Sequence, residues 1–569
     1  MYPPKEAAGT TNKVTNPLKI TMTTCSSKFK FPAAKARTAF YLITATGLTV
    51  HAANRLNFTF LPSLDHSSSL FPDKIRAAFH AVIHSSRAIS TIAFTVADYK
   101  YSLLALPEDS DEYRRKLSEV HLRSAKRILK LCEANKGFYV KAGQFVAAMR
   151  QVPKEYSSTL SSLQDQAVPC HFKAIKEVLI NNLGQDLSRI FLSFDEQPIA
   201  AASIAQVHRA VLKDSQQVAI KVQYPGLEQQ MTIDTMTMSC LSKSVAWIFP
   251  DYRFDWLISE FTKAISSELD FIQEAGNSER TAKNFKNKNI VKVPQIFWEL
   301  TTRQVLTMEF CHGHKVDDVE FLKEMEINPG KVAKALVEVF AEMIFIHGFV
   351  HGDPHPGNIF ISPEGPNRFS LVLLDHGIYK QLDDKFRHNY CQLWKALILQ
   401  DSHQIEQLGE RFNVGKYSRY FPVIFTGRTI HSKSALGKGM LAEEKKVLKQ
   451  DLKSLTMEDI SSFMESLPPD FLTILRTDGL LRSVLSKLGA SQRVRLLTYA
   501  KYAVYGLPRM LNPDSDSAIK YAFSSLKTNV SYLWLRLIVE VLDLLSWLKE
   551  VKRFLYTLCR TVLSAAAMV

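Results

Sequence analysis

A chain of 569 residues, 46% of them hydrophobic, can bury more than one core, or a two-lobed domain with extensions. Its formal net charge of +15 calls for a polyanionic partner, an anionic membrane surface or a basic leader. Seven cysteines are scattered at 25, 132, 170, 240, 311, 391 and 559, with no Cys-x-x-Cys pair and no zinc spacing, which argues against a disulfide framework or a zinc-built fold.

No acidic residue lies between Glu6 and Asp65, while Lys13, Lys19, Lys28, Lys30, Lys35 and Arg37 punctuate a Ser/Thr-rich stretch. That composition predicts a mitochondrial targeting segment over 1–37 in preference to a disordered basic tail. Residues 38–56 follow, apolar from Thr38 to Val50. The run falls short of the ~18 to 20 apolar residues of a confident span. A membrane anchor and an interfacial or core segment stand as alternatives, and for the whole protein an association with the mitochondrial inner membrane is expected.

Further along, Leu122, Ala125, Ile128, Leu129 and Cys132 form a helical stripe that Gly137 interrupts, and a second helix would carry Lys141 and Gln144. On that pattern alone Lys141 is a solvated charge. Next comes Ala200-Ala201-Ala202-Ser203, and then Val218-Ala-Ile-Lys221-Val-Gln-Tyr224, which alternates as a strand. Val218, Ile220 and Val222 face one way and Lys221 the other. A strand lysine can pair nucleotide phosphates as a point charge, although a solvated lysine is the ordinary case.

Leu257, Phe261, Ile265, Leu269 and Ile272 predict one amphipathic helix over 257–284, carrying Glu268, Asp270 and Glu274. In such a helix Asp270 and Glu274 share a face and Glu268 points elsewhere; at least one of the three would hold Lys221. A helix from Lys331 to Gly348 then delivers His351-Gly-Asp353-Pro-His-Pro-Gly-Asn358, where proline forces the chain out of helix. Short strands at 359–361 and 371–374 lead to Asp375-His-Gly377. An Asp, an Asn five residues on and a second Asp after a strand reproduce the order of the protein-kinase H-R-D-x-x-x-x-N and D-F-G loops. Phosphoryl transfer needs those groups: one carboxylate orients the acceptor, while an amide and a second carboxylate hold magnesium on the phosphates. His351, His355 and His376 crowd the loop and raise a histidine metal site as an alternative, but the Asp/Asn oxygens favour magnesium.

Two kinase features are missing. No glycine-rich loop precedes the lysine strand, and alanine disfavours the positive-φ backbone that glycine permits. No A-P-E follows Asp375, and Ile378 to Arg387 run quickly toward a helix, leaving little segment to dock a protein substrate. Near the end, Tyr532 to Leu548 is amphipathic, with Arg536, Glu540 and Asp543 on one side; packing on its own domain is expected, with membrane-surface contact as the alternative. No aromatic platform accompanies the basic excess, so no nucleic-acid partner is expected.

Together, Lys141-Ala-Gly-Gln144, the alanine-rich loop, Val218-Ala-Ile-Lys221, Glu268-Leu-Asp270, the 351–358 loop and Asp375-His-Gly377 resemble the UbiB, or aarF-domain (ABC1-type), atypical kinases over about residues 110–500. The leader and the end of the domain resemble the family's mitochondrial type 1 branch. The resemblance implies an α+β, two-lobed protein-kinase-like fold. A helical extension with the K-x-G-Q motif would cover 110–197, the N-lobe 198–310, the C-lobe 311–500, and amphipathic C-terminal helices 515–569. It implies bound ATP or ADP with Mg2+, the nucleotide held by Lys221, Glu274 and Ala200, Ala201, Ala202 and Ser203. Asp353 would be the catalytic aspartate and Asn358 and Asp375 the magnesium ligands. Lys141 and Gln144 would meet Glu268 and Asp270 over the site, where a protein substrate would sit. Glu274 is the implied partner of Lys221 across a helical insert around Gly226 to Val245, with Glu268 the other choice. The family further implies a role in mitochondrial lipid or coenzyme Q-related homeostasis and cristae organisation, with a lipid-like substrate. A pseudokinase scaffold at the mitochondrial membrane and a conventional protein Ser/Thr kinase are the alternatives, the occluding Lys141 motif arguing against the second.

Overall fold

The computed structural model describes residues 73–507 and 526–541, with breaks at 105, 108–109, 149–151, 165–168, 249–254, 366, 433, 454–461 and 464–465, together with 544, 548 and 551. The leader at 1–37, the apolar stretch at 38–56 and residues 515–525 and 552–569 of the expected C-terminal helices lie outside the described residues.

Alternation of apolar residues builds the first lobe. Strands β1 (Phe191–Phe194), β3 (Ala205–Leu212), β4 (Gln217–Gln223) and β6 (Val305–Glu309) form an antiparallel sheet in the order β1-β3-β4-β6, with the short β2 (Ala200–Ala201) on β3. Register places Lys221 of β4 between Val207 and Leu306. Val218, Ile220 and Val222 are fully buried against Ile175 and Leu179 of the helix Phe172–Leu183, as the alternation predicts.

The second lobe is mainly helical. Its core is an aromatic cluster of Phe340, Phe345, Tyr390, Trp394, Phe425, Phe471 and Tyr499. In it, β9 (Ile359–Pro363) and β10 (Phe369–Leu373) pair antiparallel, with β5 (Val291–Lys292) and β7 (His314–Lys315) at the edges, while β8 (Phe349–His351) pairs with β11 (Tyr379–Gln381). The helix expected to reach Gly348 ends at Glu342 and closes in a π-helical turn, Met343–His347. Arg495, Asp478 and Arg482 form a buried charge network, with Arg495 Nη1 to Asp478 Oδ1 at 2.8 Å and Arg482 Nη2 to Asp478 Oδ2 at 2.5 Å. Mixed helix and sheet in two lobes, with a helical region before them, is the expected α+β kinase-like architecture.

That helical region starts earlier than expected, with α1 (Asp73–Ser102), followed by α2 (Asp111–Asn135) and α3 (Gly137–Ala148). Lys136 and Gly137, at φ 56° and 43°, make the sharp break between α2 and α3. Leu122, expected in the apolar stripe of α2, is 41% exposed instead, while Ala125 and Cys132 are buried. Cys132, Phe138 and Tyr139 pack with Met231 of α4 (Leu227–Ile248) and with Phe261 and Ile265 of α5 (Asp255–Glu268), so the extension leans on helices inserted into the first lobe.

The single helix expected over 257–284 is two. After α5, Leu269 and Asp270 leave the helix, and Asp270 caps α6 (Phe271–Asn284) by accepting the Ile272 amide at 3.0 Å. A β-region cap residue is what a short acid supplies at a helix start. Ile272, expected on the buried stripe, is consequently 39% exposed. At the other end, residues 526–541 are helical and pack on the second lobe through Leu535 and Val539, with Arg493 pairing Glu540 at 3.1 Å. The expected packing on its own domain therefore holds there, while Leu526, Val530, Leu533, Trp534, Leu537 and Val541 stand exposed on the outer side. Among the described residues no helix is long and apolar enough to cross a membrane.

Candidate active site

Between the lobes, β4 projects Lys221 toward α6. Its Nζ donates to both oxygens of Glu274, at 2.7 and 3.0 Å, and stands 3.6 Å from Asp375 Oδ1. Lys221 and Glu274 are 9% and 2% exposed, so each answers the other in place of water, and burial pushes the Glu274 carboxyl up to about 7 against the pull of Lys221. Burial works against the Lys221 charge, but Asp375 and Glu274 more than offset it and hold the ammonium above its ordinary range. Partial burial raises Asp375, yet Lys221 and Lys141 bring its carboxyl well below the usual carboxylate range. An ionised Asp375 beside an ammonium is the state that metal and phosphate binding require.

Glu268, at the end of α5, turns to the extension and not to Lys221. Lys141 Nζ of α3 pairs with Glu268 Oε2 at 2.8 Å, so Lys141 is not the solvated charge its helix pattern suggests. Burial opposes its charge, but Glu268, Asp353 and Asp375 keep its ammonium raised. Gln144 Nε2 donates to the Leu163 carbonyl at 2.9 Å, within the extension. Gly143 between them permits close approach, since a Cβ there would collide with Leu163 Cδ1 and sit 3.1 Å from Cys132 Sγ. Asp270, grouped with Glu268 by sequence, faces Arg303 at 3.8 Å while it caps α6. The Glu274 and Glu268 assignments left open by spacing are thus separated by the break at Leu269.

The 351–358 loop is tied to the 375–377 loop by histidines. The Asp353 amide donates to His351 Nδ1 at 3.0 Å, and His351 Nε2 donates to the Asp375 carbonyl at 2.6 Å. His376 meets the Tyr379 hydroxyl at 3.0 Å and the Leu373 carbonyl at 3.1 Å, and burial pushes its imidazole down to about 3. His355 Nδ1 accepts the Gly357 amide at 3.2 Å. With both ring nitrogens of His351 and His376 spent on the protein, these two histidines hold loops together; among the described residues no group of three His, Cys, Asp or Glu is placed to hold a metal. Gly352, where the kinase motif has Arg, is explained by space: a Cβ would lie 2.7 Å from Ile378 Cγ2.

The residues do fit magnesium carried on a nucleotide. Asn358 Nδ2 donates to the Asp353 carbonyl at 3.1 Å, which leaves its Oδ1 for a cation. Asp375 Oδ1 accepts the Gly377 amide at 2.9 Å, and its side chain keeps 40% exposure. An amide and a carboxylate oxygen, completed by phosphates and water, are the few protein ligands this hard cation takes.

Above the lysine, Ala200 and Ala201 are locked as strand against Val207 and Gln206, Ala202 N donates to the Ala205 carbonyl at 2.7 Å, and Tyr224 donates to the Ala202 carbonyl at 2.9 Å. Ser203 is 8% exposed and its Oγ has no partner among the described residues. This is a pinned turn, stiffer than a glycine loop.

One residue escaped the sequence. Arg476, on α9 (Pro469–Lys487; α7 being Pro329–Glu342 and α8 Asp384–Leu399), places Nη2 3.5 Å from Asp353 Oδ1. Its helix carries no motif, and nothing local marks it.

A family model described as the ABC1 atypical kinase-like domain matches residues 162–409. The chain is similar to AarF domain-containing protein kinase 1 of Mus musculus, 36% identical over 476 residues that cover 82% of this chain and 90% of that protein. It is likewise 36% identical over 485 residues to the Xenopus tropicalis protein of the same name, covering 84% and 92%. AarF domain-containing kinase 1 of Drosophila melanogaster matches at 34% over 472 residues, covering 80% and 91%.

Proposed function

Because this chain belongs to the ABC1 (aarF-domain, UbiB) atypical kinase family, we propose that it binds magnesium nucleotide and turns it over, as an atypical kinase or ATPase, at a mitochondrial membrane. The observation that carries the reading is Lys221 held between Glu274 and Asp375 beside the Asp353–Asn358 loop. Magnesium, when bound, neutralises charge developing on the phosphates. Asn358 and Asp375 would hold it, Lys221 would pair with the phosphates once Glu274 has fixed its direction, and Asp353 would orient the acceptor oxygen. Lys141 on Glu268 narrows the acceptor side, which supports a small or lipid-like acceptor, or water, over a protein hydroxyl.

The mitochondrial part rests on the acid-free basic composition between Glu6 and Asp65. The membrane part rests on the exposed apolar row from Leu526 to Val541 and on the family resemblance, which also supports a lipid or coenzyme Q-related role. The test is ATP turnover by the purified full chain with and without anionic lipid vesicles, comparing wild type with Asp375→Asn. Slow, magnesium-dependent turnover that rises on vesicles and falls about 100-fold or more in the variant is expected. Turnover unchanged in Asp375→Asn sinks the catalytic assignment. The closed acceptor side also favours a silent scaffold as the second reading; rescue of a null strain by an Asp353→Ala, Asp375→Ala double variant would select it.

A further inference from the structure

The extension helix α3 touches the kinase machinery on both lobes. Lys141 meets Glu268 at the first lobe. Phe145, one helical turn on and on the same face, meets the second lobe: the Arg476 guanidinium lies over its ring, with Cζ 5.3 Å from the centroid. The same guanidinium reaches Asp353 at 3.5 Å. Thr477 beside it donates to the His351 carbonyl at 3.3 Å, anchoring α9 to the start of the catalytic loop. Arg476 and Asp353 are 23% and 24% exposed, so the pair is largely sheltered, and Arg476 Nε is buried without a hydrogen-bond partner among the described residues. A planar guanidinium can stack on a ring and pair with a carboxylate at once, which an ammonium cannot do equally well.

We propose that Arg476 is a positioning residue for the reaction: it orients the Asp353 carboxylate and, through Phe145, makes that orientation depend on the seating of the extension helix. The proposal deepens the phosphotransferase reading and rests on it for its kinetic arm. Asp353 sits on the loop that follows β8, where the next residue is proline, so the bonds of its backbone to His351 and Asn358 fix its main chain and leave its side-chain torsions to Arg476. The Lys141 pair and the Phe145–Arg476–Asp353 chain together let α3 act on both halves of the cleft.

The test compares the full chain as wild type, Arg476→Ala, Phe145→Leu, the two combined, and Arg476→Ala in an Asp353→Asn background. A small misplacement of a reacting group costs about ten-fold or more in rate, so Arg476→Ala should lower kcat by about ten-fold while the KM for magnesium ATP stays within about two-fold. Phe145→Leu should lower kcat in the same sense, the combined variant should fall no further than Arg476→Ala, and Arg476→Ala should change nothing once Asp353 is Asn. Hydrogen exchange over 137–148 should rise in Arg476→Ala, a readout that needs no turnover. Additive losses, equal losses in KM and kcat, an unchanged or raised kcat, or unchanged exchange would overturn the proposal. If the wild type itself turns over no ATP, the catalytic reading fails and the exchange arm alone decides whether Arg476 seats the helix.

Discussion

Lys221 is a buried ammonium group and Lys141 a partly buried one, and each is answered by a glutamate from one short acidic stretch. Removing one partner of such a pair strands a charge out of water, which costs about 3–5 kcal/mol. Glu274→Ala is therefore expected to lower unfolding stability by about that amount at an unchanged denaturant slope, and Glu274→Gln by less, because an amide still accepts from Lys221. Equal stability in wild type and Glu274→Ala would show that Asp375 alone satisfies Lys221. At this scale the sequence is informative where chemistry dictates order: Lys221, Asp353, Asn358 and Asp375 follow one another as the kinase motifs do. It was ambiguous at Glu268 and Glu274, since an apolar period continued across Leu269 although the helix did not. It was silent on Arg476, whose partner lies on a distant loop and whose own helix shows only core periodicity.

The extension is held by close helix packing, and two of its residues make that testable. Gly143 lets α3 approach α2 and Leu163, so Gly143→Ala should destabilise by roughly 1–3 kcal/mol through overpacking and loosen the Lys141–Glu268 pair. A thermal midpoint unchanged from wild type would contradict this. Asp98 of α1 accepts hydrogen bonds from Arg123 at 2.7 and 3.1 Å and forms an ion pair with Arg127 at 2.7 Å, both on α2. The Arg123 bond, ahead of Arg127 and Ser102, holds its carboxyl well below the usual range. A depressed folded-state value means that this stabilisation is full above about pH 4 and is lost as pH falls further. Unfolding measured across that acid range should show a shallower slope for Asp98→Asn than for wild type; identical slopes would contradict the linkage. Helix α1 itself is not legible in the sequence, because its stretch carries no motif and its apolar positions are spread round the helix, with Val82, Phe94 and Tyr101 exposed.

At the scale of the whole molecule, three carboxylates of the cleft are matched by cations from three separate parts of the chain: Lys221 from the sheet, Lys141 from the extension and Arg476 from helix α9 of the second lobe. Two-lobed architecture is legible because motif order implies lobes, and the alternating run at β4 and the short apolar run at β10 are strands in the structure. How the extension closes over the cleft was not legible from residue patterns, since Lys141 looks like any helical lysine until Glu268 is brought beside it. The direct measurement of the central claim is nucleotide affinity with and without Mg2+ for wild type, Lys221→Met and Asp375→Asn. Wild type should bind ADP more tightly when magnesium is present, Asp375→Asn should lose that increment, and Lys221→Met should weaken binding in both conditions. Wild-type affinity indifferent to magnesium, or an increment that survives in Asp375→Asn, would contradict the assignment of this cleft as a magnesium-nucleotide site.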